Sequence, residues 1–126
     1  MLIQGMDVIY LHARDAKKTG KWYEEVLGLK VKYKTSDSSW LEFDFEKSPS
    51  TRFAVEAAPS PDASSVKQQG IMISFRVADI HKAVDRLEKL GVVFHGTPKV
   101  KEEGVSRFVT FQDPEGNWLQ LSQRIK

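Results

Sequence analysis

The 126-residue sequence contains no cysteine. That excludes disulfides, cysteine-ligated zinc and thiol nucleophiles. It has no apolar run near the roughly 18 residues of a membrane-spanning helix, so no membrane partner is expected. Charge of one sign is also scarce: 19 Lys and Arg stand against 17 Asp and Glu, a formal net charge of +2. That is too little to point to nucleic acid, and no nucleic-acid partner is expected. The segment after Met1 lacks the basic and apolar regions of a signal peptide, so a cytoplasmic location is expected. There is no G-x-S-x-G elbow, phosphate loop, dinucleotide fingerprint or H-E-x-x-H helix. What remains is an ordinary globular composition, 40% hydrophobic and 29% charged, at a length that suits one domain spanning 1–126.

Two segments of the chain read alike. Val8 to Asp15 is followed by a helical stretch from Ala16 to Leu27 and then Gly28. Met72 to Asp79 is followed by a helical stretch from Ile80 to Leu90 and then Gly91. Asp15 and Asp79 suit helix N-caps, because a carboxylate accepts from the free amides of the first turn. Gly28 and Gly91 suit the left-handed position beyond a helix end. Thr19, Trp22, Tyr23, Val26 and Leu27 follow helical spacing, as do Ile80, Ala83, Val84, Leu87 and Leu90, so each helix should bury one face.

Strands are expected after each glycine. Leu29, Val31 and Tyr33 alternate with Lys30, Lys32 and Lys34, the pattern of a strand with one wet face and a charged, guarded edge. Trp40–Phe45 and Arg52–Ala57 follow, joined by a turn around Ser48-Pro49. In the second half the strands are Val92–His95, Arg107–Gln112 and Trp118–Ser122, the last two joined by Asp113-Pro114-Glu115-Gly116-Asn117. Each half reads strand, helix, strand, strand, strand. Asp15 and Asp79 set an offset of 64 residues, which also relates Val8 to Met72, His12 to Arg76 and Glu56 to Gln120. This is a duplicated unit, with module one over about 6–58, a linker at 59–69 and module two over about 70–124.

Alternation gives each strand two faces. Ile9, Leu11 and Ala13, then Phe53, Val55 and Ala57, are expected to pack on the first helix. Ile71, Ile73, Phe75 and Val77, then Leu119 and Leu121, are expected to pack on the second. The opposite faces collect Val8, Tyr10, His12, Arg52, Ala54 and Glu56 in one half. In the other they collect Met72, Ser74, Arg76, Trp118, Gln120 and Ser122. A curved sheet so lined suits a small molecule.

The segment Asp15–Leu29, with Trp22-Tyr23 and Val26-Leu27-Gly28-Leu29, resembles the opening of the vicinal oxygen chelate superfamily. That group includes glyoxalase I, bleomycin-resistance proteins, fosfomycin-resistance enzymes and extradiol dioxygenases. Phe111–Leu121, with Asp113-Pro114-Glu115-Gly116-Asn117, is similar to the family's ending. Together these cover nearly the whole chain. The resemblance implies an α+β fold of two βαβββ modules forming a cup-shaped site, usually within a homodimer. It also implies metal-ligand positions at Val8, Glu56, Met72 and Gln120. Val8 has no donor and Met72 offers only a thioether, whereas a catalytic zinc ordinarily takes three protein ligands. No metal and no cofactor are therefore expected.

The expected function is metal-independent binding of a small organic molecule in a cup at a homodimer interface, similar to the bleomycin-resistance branch. The alternative is a glyoxalase-like lyase, isomerase or dioxygenase, using a divalent metal or Glu56 as general base. Glu56 is either that catalytic base or one half of an ion pair with His12 or Arg76. His12 either contacts ligand or bonds to Glu56 across neighbouring strands. Trp40 and Trp118 either stack on a flat ring or fill the cup or dimer interface. Arg76 either clamps an anionic group or neutralises Glu56. His81 is expected on the surface and His95 at the rim, and Lys99 with Lys101–Gly104 reads as a polar loop over the mouth.

Overall fold

The computed structural model describes residues 1–48, 50–58 and 70–125. Pro49 and the expected linker at 59–69 lie outside the described residues. The chain divides into two compact units, Met1–Val66 and Lys67–Lys126.

The first unit runs β1 (Ile9–Ala13), α1 (Ala16–Glu25), β2 (Lys30–Lys34), β3 (Trp40–Asp44) and β4 (Phe53–Ala57). Its sheet has the order β1-β4-β3-β2, with β1 parallel to β4 and the other pairs antiparallel. α1 begins where Asp15 Oδ1 accepts from the Lys18 backbone N–H at 3.0 Å. It ends before Gly28, which takes a φ of 74° open to glycine without strain. Tyr23 on α1 is buried with its ring centroid 5.4 Å from that of Phe53 and 5.9 Å from that of Phe43. Gly20 lets the helix approach the sheet, since a Cβ there would lie 2.8 Å from Leu41 Cδ2. The regular alternation expected of β2 is broken by a register shift between Val31 and Tyr33. Val31 opposes Phe43 on the helix side, but Tyr33 opposes Glu42 on the other.

The second unit runs β5 (Ile73–Arg76), α2 (Ile80–Lys89), β6 (Lys101–Glu103), β7 (Ser106–Gln112) and β8 (Trp118–Arg124). Its sheet order is β5-β8-β7-β6. Asp79 caps α2 through the Lys82 N–H at 3.1 Å, and the Ile80 N–H donates to Gln123 Oε1 on β8 at 2.9 Å. Ile80, Val84 and Leu87 are buried along α2, and Phe94 meets Phe111 edge-on at 5.5 Å. In the β7–β8 turn, Asp113 Oδ1 accepts from the backbone N–H groups of Glu115 and Asn117, both at 2.9 Å. Oδ2 accepts from Asn117 Nδ2 at 2.9 Å. Together the units give an α+β chain of two βαβββ modules.

Four expectations need correcting in this half. Val92–His95 is no strand: Phe94 turns into the core and His95 makes an isolated bridge to Thr110. The edge strand lies instead at Lys101–Glu103, within the stretch expected to be a polar loop. There Glu102 opposes Arg107, and their side chains pair at 2.6 Å. Ile71 does not pack on the helix; it is 63% exposed, because the ladder begins at Ile73. Leu90 is likewise exposed at the end of α2.

Candidate functional site

Strand register brings the chemistry of the first unit together on the sheet face away from α1. His12 on β1 pairs with Glu56 on β4, and Glu56 pairs with Trp40 on β3. One pleat repeat along, Tyr10 pairs with Ala54, and Ala54 with Glu42. Each register row puts its side chains on one face. The surface therefore presents His12, Glu56 and Trp40 in one row and Tyr10, Ala54 and Glu42 in the next.

Within the first row, His12 Nε2 lies 3.0 Å from Glu56 Oε1. A carboxylate only accepts, so Nε2 carries the proton. The side chains of His12 and Glu56 remain 23% and 39% exposed. The two aromatic residues stand on strands flanking β4, about 9–10 Å apart by strand spacing. Yet the ring centroids of Tyr10 and Trp40 are 5.2 Å apart. The rings lean together across β4, where Ala54 is fully buried. Tyr10 also meets His12 edge-on at 5.8 Å.

Trp40 is placed by the turn before it. Thr35 Oγ1 accepts from the N–H groups of Ser39 and Trp40 at 3.0 and 3.1 Å, and donates to Asp37 Oδ1 at 2.8 Å. Hydrogen bonds from Ser39, through hydroxyl and backbone, and from Thr35 hold the Asp37 carboxyl down at about 2.

Glu42 was not legible as a site residue. It is only 6% exposed, and Arg52 Nη2 meets its Oε1 at 2.8 Å while Nη1 reaches Asp7 at 3.0 Å. The Arg52 hydrogen bond, aided by its charge, keeps the Glu42 carboxyl below its usual range against the opposing effect of burial. The same bond raises the Arg52 guanidinium. The available signal was alternation: in Trp40-Leu41-Glu42 the glutamate shares a face with Trp40, and hence with Arg52 and Glu56 across the ladder.

On the second sheet, Ser74 pairs with Gln120 and Arg76 with Ser122. Ser74 Oγ donates to Ser122 Oγ at 3.0 Å. Trp118 packs edge-on against His95 at 4.9 Å. His81 is exposed, as expected, and His95 is exposed as well. The structure thus groups His12, Glu56 and Trp40 on one sheet, and Arg76, Trp118 and Gln120 on the other.

The two sheets differ in register. The 64-residue offset maps Ser74 and Gln120 onto Tyr10 and Glu56, but Glu56 pairs with His12. A shift of two residues keeps every side chain on its face and changes its neighbours. For a metal of the kind implied by the family, the donors do not fit. Val8 lies outside β1, four residues before the partner of Glu56, and brings no donor atom. Met72 lies outside β5 and brings a thioether. Glu56 already accepts from His12. Among the described residues, no three His, Asp or Glu side chains gather closely enough to hold a cation.

The chain is 24% identical over 123 residues to the uncharacterized protein YraH of Bacillus subtilis (strain 168), covering 93% of this chain and 96% of that one. TnmS3, an antibiotic binding protein from Streptomyces sp. CB03234, superposes with a TM-score of 0.76 at 21% identity, covering 98% of both chains. The fosfomycin resistance protein FosX from Listeria monocytogenes, solved with Mn(II) and sulfate, superposes with a TM-score of 0.72 at 16% identity. That match covers 98% of this chain and 92% of FosX. The model of the Glyoxalase/Bleomycin resistance protein/Dioxygenase superfamily matches residues 5–121, and the chain belongs to that superfamily.

Proposed function

We propose that the protein binds a small organic molecule on the helix-free face of its first sheet, without a resident metal, as a homodimer whose interface forms the ligand cup. The observation that carries this reading is the Tyr10–Trp40 ring pair leaning over Ala54 beside the His12–Glu56 pair. Two rings offer dry area to a flat ligand, and the adjacent imidazole and carboxylate offer polar contacts that fix its orientation. Glu56, His12 and Trp40 are the ligand contacts there. Arg76, Trp118 and Gln120 offer a second binding surface on the other sheet. The exposed Tyr10, Tyr33, Met72 and Trp118 on these faces suit cover by ligand or a second copy. The likeness to TnmS3, an antibiotic binding protein, supports a small organic ligand. Metal independence is supported by the donor set at Val8 and Met72.

A panel of planar aromatic antibiotics, screened by thermal shift on protein stripped with chelator, tests this. Stabilisation by at least one compound, weakened at least tenfold in affinity by Trp40→Ala, is expected. A stoichiometric first-row metal in the purified protein, whose removal abolishes binding, would contradict it. Sedimentation tests the dimer. The second reading, an enzyme of the lyase, isomerase or dioxygenase kind, is favoured by the His12–Glu56 pair itself.

A further inference from the structure

We propose that His12 and Glu56 form a proton-transfer dyad, with His12 Nδ1 as the base, Glu56 as its positioning residue and a planar carbon acid as substrate. This rests on the reading that the Tyr10–Trp40 face binds a flat ligand. Glu56 is directly opposite His12 in the β1–β4 ladder, and its carboxylate accepts from Nε2 at 3.0 Å. That bond fixes the tautomer, leaving the lone pair on Nδ1. Among the described residues no group hydrogen-bonds Nδ1. A base oriented by a carboxylate is the arrangement that general-base chemistry needs. Tyr10 stands edge-on to the imidazole, and Trp40 stands beside Glu56 on the next strand. A flat ligand held by those rings would sit beside the imidazole.

In the step, a C–H next to an electron-withdrawing group gives its proton to Nδ1. The electron pair of that bond stays on the substrate, delocalised into the neighbouring group. The imidazolium keeps its Nε2–H on the Glu56 carboxylate, which stabilises the positive charge as it forms. Return of the proton to another atom completes an isomerisation.

5-Nitrobenzisoxazole is a suitable probe because it is flat and loses its C3 proton to a base. Its N–O bond then breaks as the nitrile forms, releasing coloured 2-cyano-4-nitrophenolate. The chelator-treated protein is expected to turn it over saturably. His12→Gln, which keeps a donor to Glu56 but has no ring base, should lose turnover at least a hundredfold while still melting cooperatively. Glu56→Ala should lower kcat at least tenfold, with Glu56→Gln recovering part of the loss. Nitrogen-15 NMR of the wild-type imidazole should show the Nε2-protonated tautomer, with a mixture in Glu56→Ala. Turnover at the solution background, turnover untouched by His12→Gln, or an Nδ1-protonated ring would each overturn the dyad. Saturable quenching of Trp40 fluorescence by the probe without turnover would defeat the dyad and leave the binding reading standing.

Discussion

A double-mutant cycle on Tyr10 and Trp40 is expected to return a coupling of about 0.5–1.5 kcal/mol, the range for an aromatic pair beyond its area burial. Their centroids are 5.2 Å apart at an interplanar angle of 57°, a favourable but unexceptional contact. Tyr10 is 47% exposed, so one side of the pair is already wet. These features decide whether the pair is a fixed wall or an openable clamp. A ligand that parts the rings forfeits the coupling, and about 1 kcal/mol is a factor of roughly five in Kd. Burying a flat ligand against two rings recovers more than that, at about 25 cal/mol per Å² of apolar surface. The pair can therefore open on binding. Chemical denaturation of the wild type, Tyr10→Ala, Trp40→Ala and the double variant, all at one pH, measures the coupling. A coupling above about 3 kcal/mol would show a locked wall, and one indistinguishable from zero would show that the rings do not cooperate. Either result refutes the clamp.

Acid should weaken the fold. Glu42 and Asp37 both have folded-state values below their usual ones. Their contribution is thus fully present above the unfolded carboxylate range near 4, and is lost as pH falls through the folded values. Denaturation midpoints should hold from pH 7 to 5 and then fall, and Glu42→Gln should flatten that fall; an unchanged profile would count against the Arg52 pairing. Asp113→Ala removes the acceptor of three hydrogen bonds in a turn where Asp113 and Asn117 are nearly buried. A loss of about 2–4 kcal/mol is expected by denaturation, and a loss below about 1 kcal/mol would contradict that account of the turn. Gly20→Val should destabilise by about 1–3 kcal/mol, because the added carbons meet Leu41; a neutral result in the same assay would show that α1 can retreat from β3.

Local chemistry was the most legible part of this chain. Asp15 and Asp79 cap their helices and Gly28 and Gly91 follow them, because caps depend on a few neighbouring residues. Alternation likewise put His12 and Glu56 on one face, since face follows from parity alone; Trp40 joins them through the β3–β4 register. Register was less legible. Nothing in the composition of β1 or β4 distinguishes a Glu56 opposite His12 from one opposite Tyr10, since a shift of two residues preserves the hydrophobic pattern. β6 escaped notice because Lys101, Glu102 and Glu103 carry no apolar signal; the strand exists through its ladder to β7 and the Glu102–Arg107 pair. Val92–His95 misled for the opposite reason, being apolar and β-branched while only His95 bridges a strand. Glu42 carried no signal of its own in the sequence, because its pairing with Arg52, ten residues on, depends on the β3–β4 register.

The most direct measurement is the Trp40 indole N–H resonance, assigned by Trp40→Phe and followed while a stabilising aromatic antibiotic is titrated in excess chelator. The account predicts a saturable shift of that resonance with chelator present, together with perturbation of the His12 ring signals. A Trp40 signal that stays fixed while the compound binds elsewhere, or that moves only after a divalent metal is restored, would contradict it.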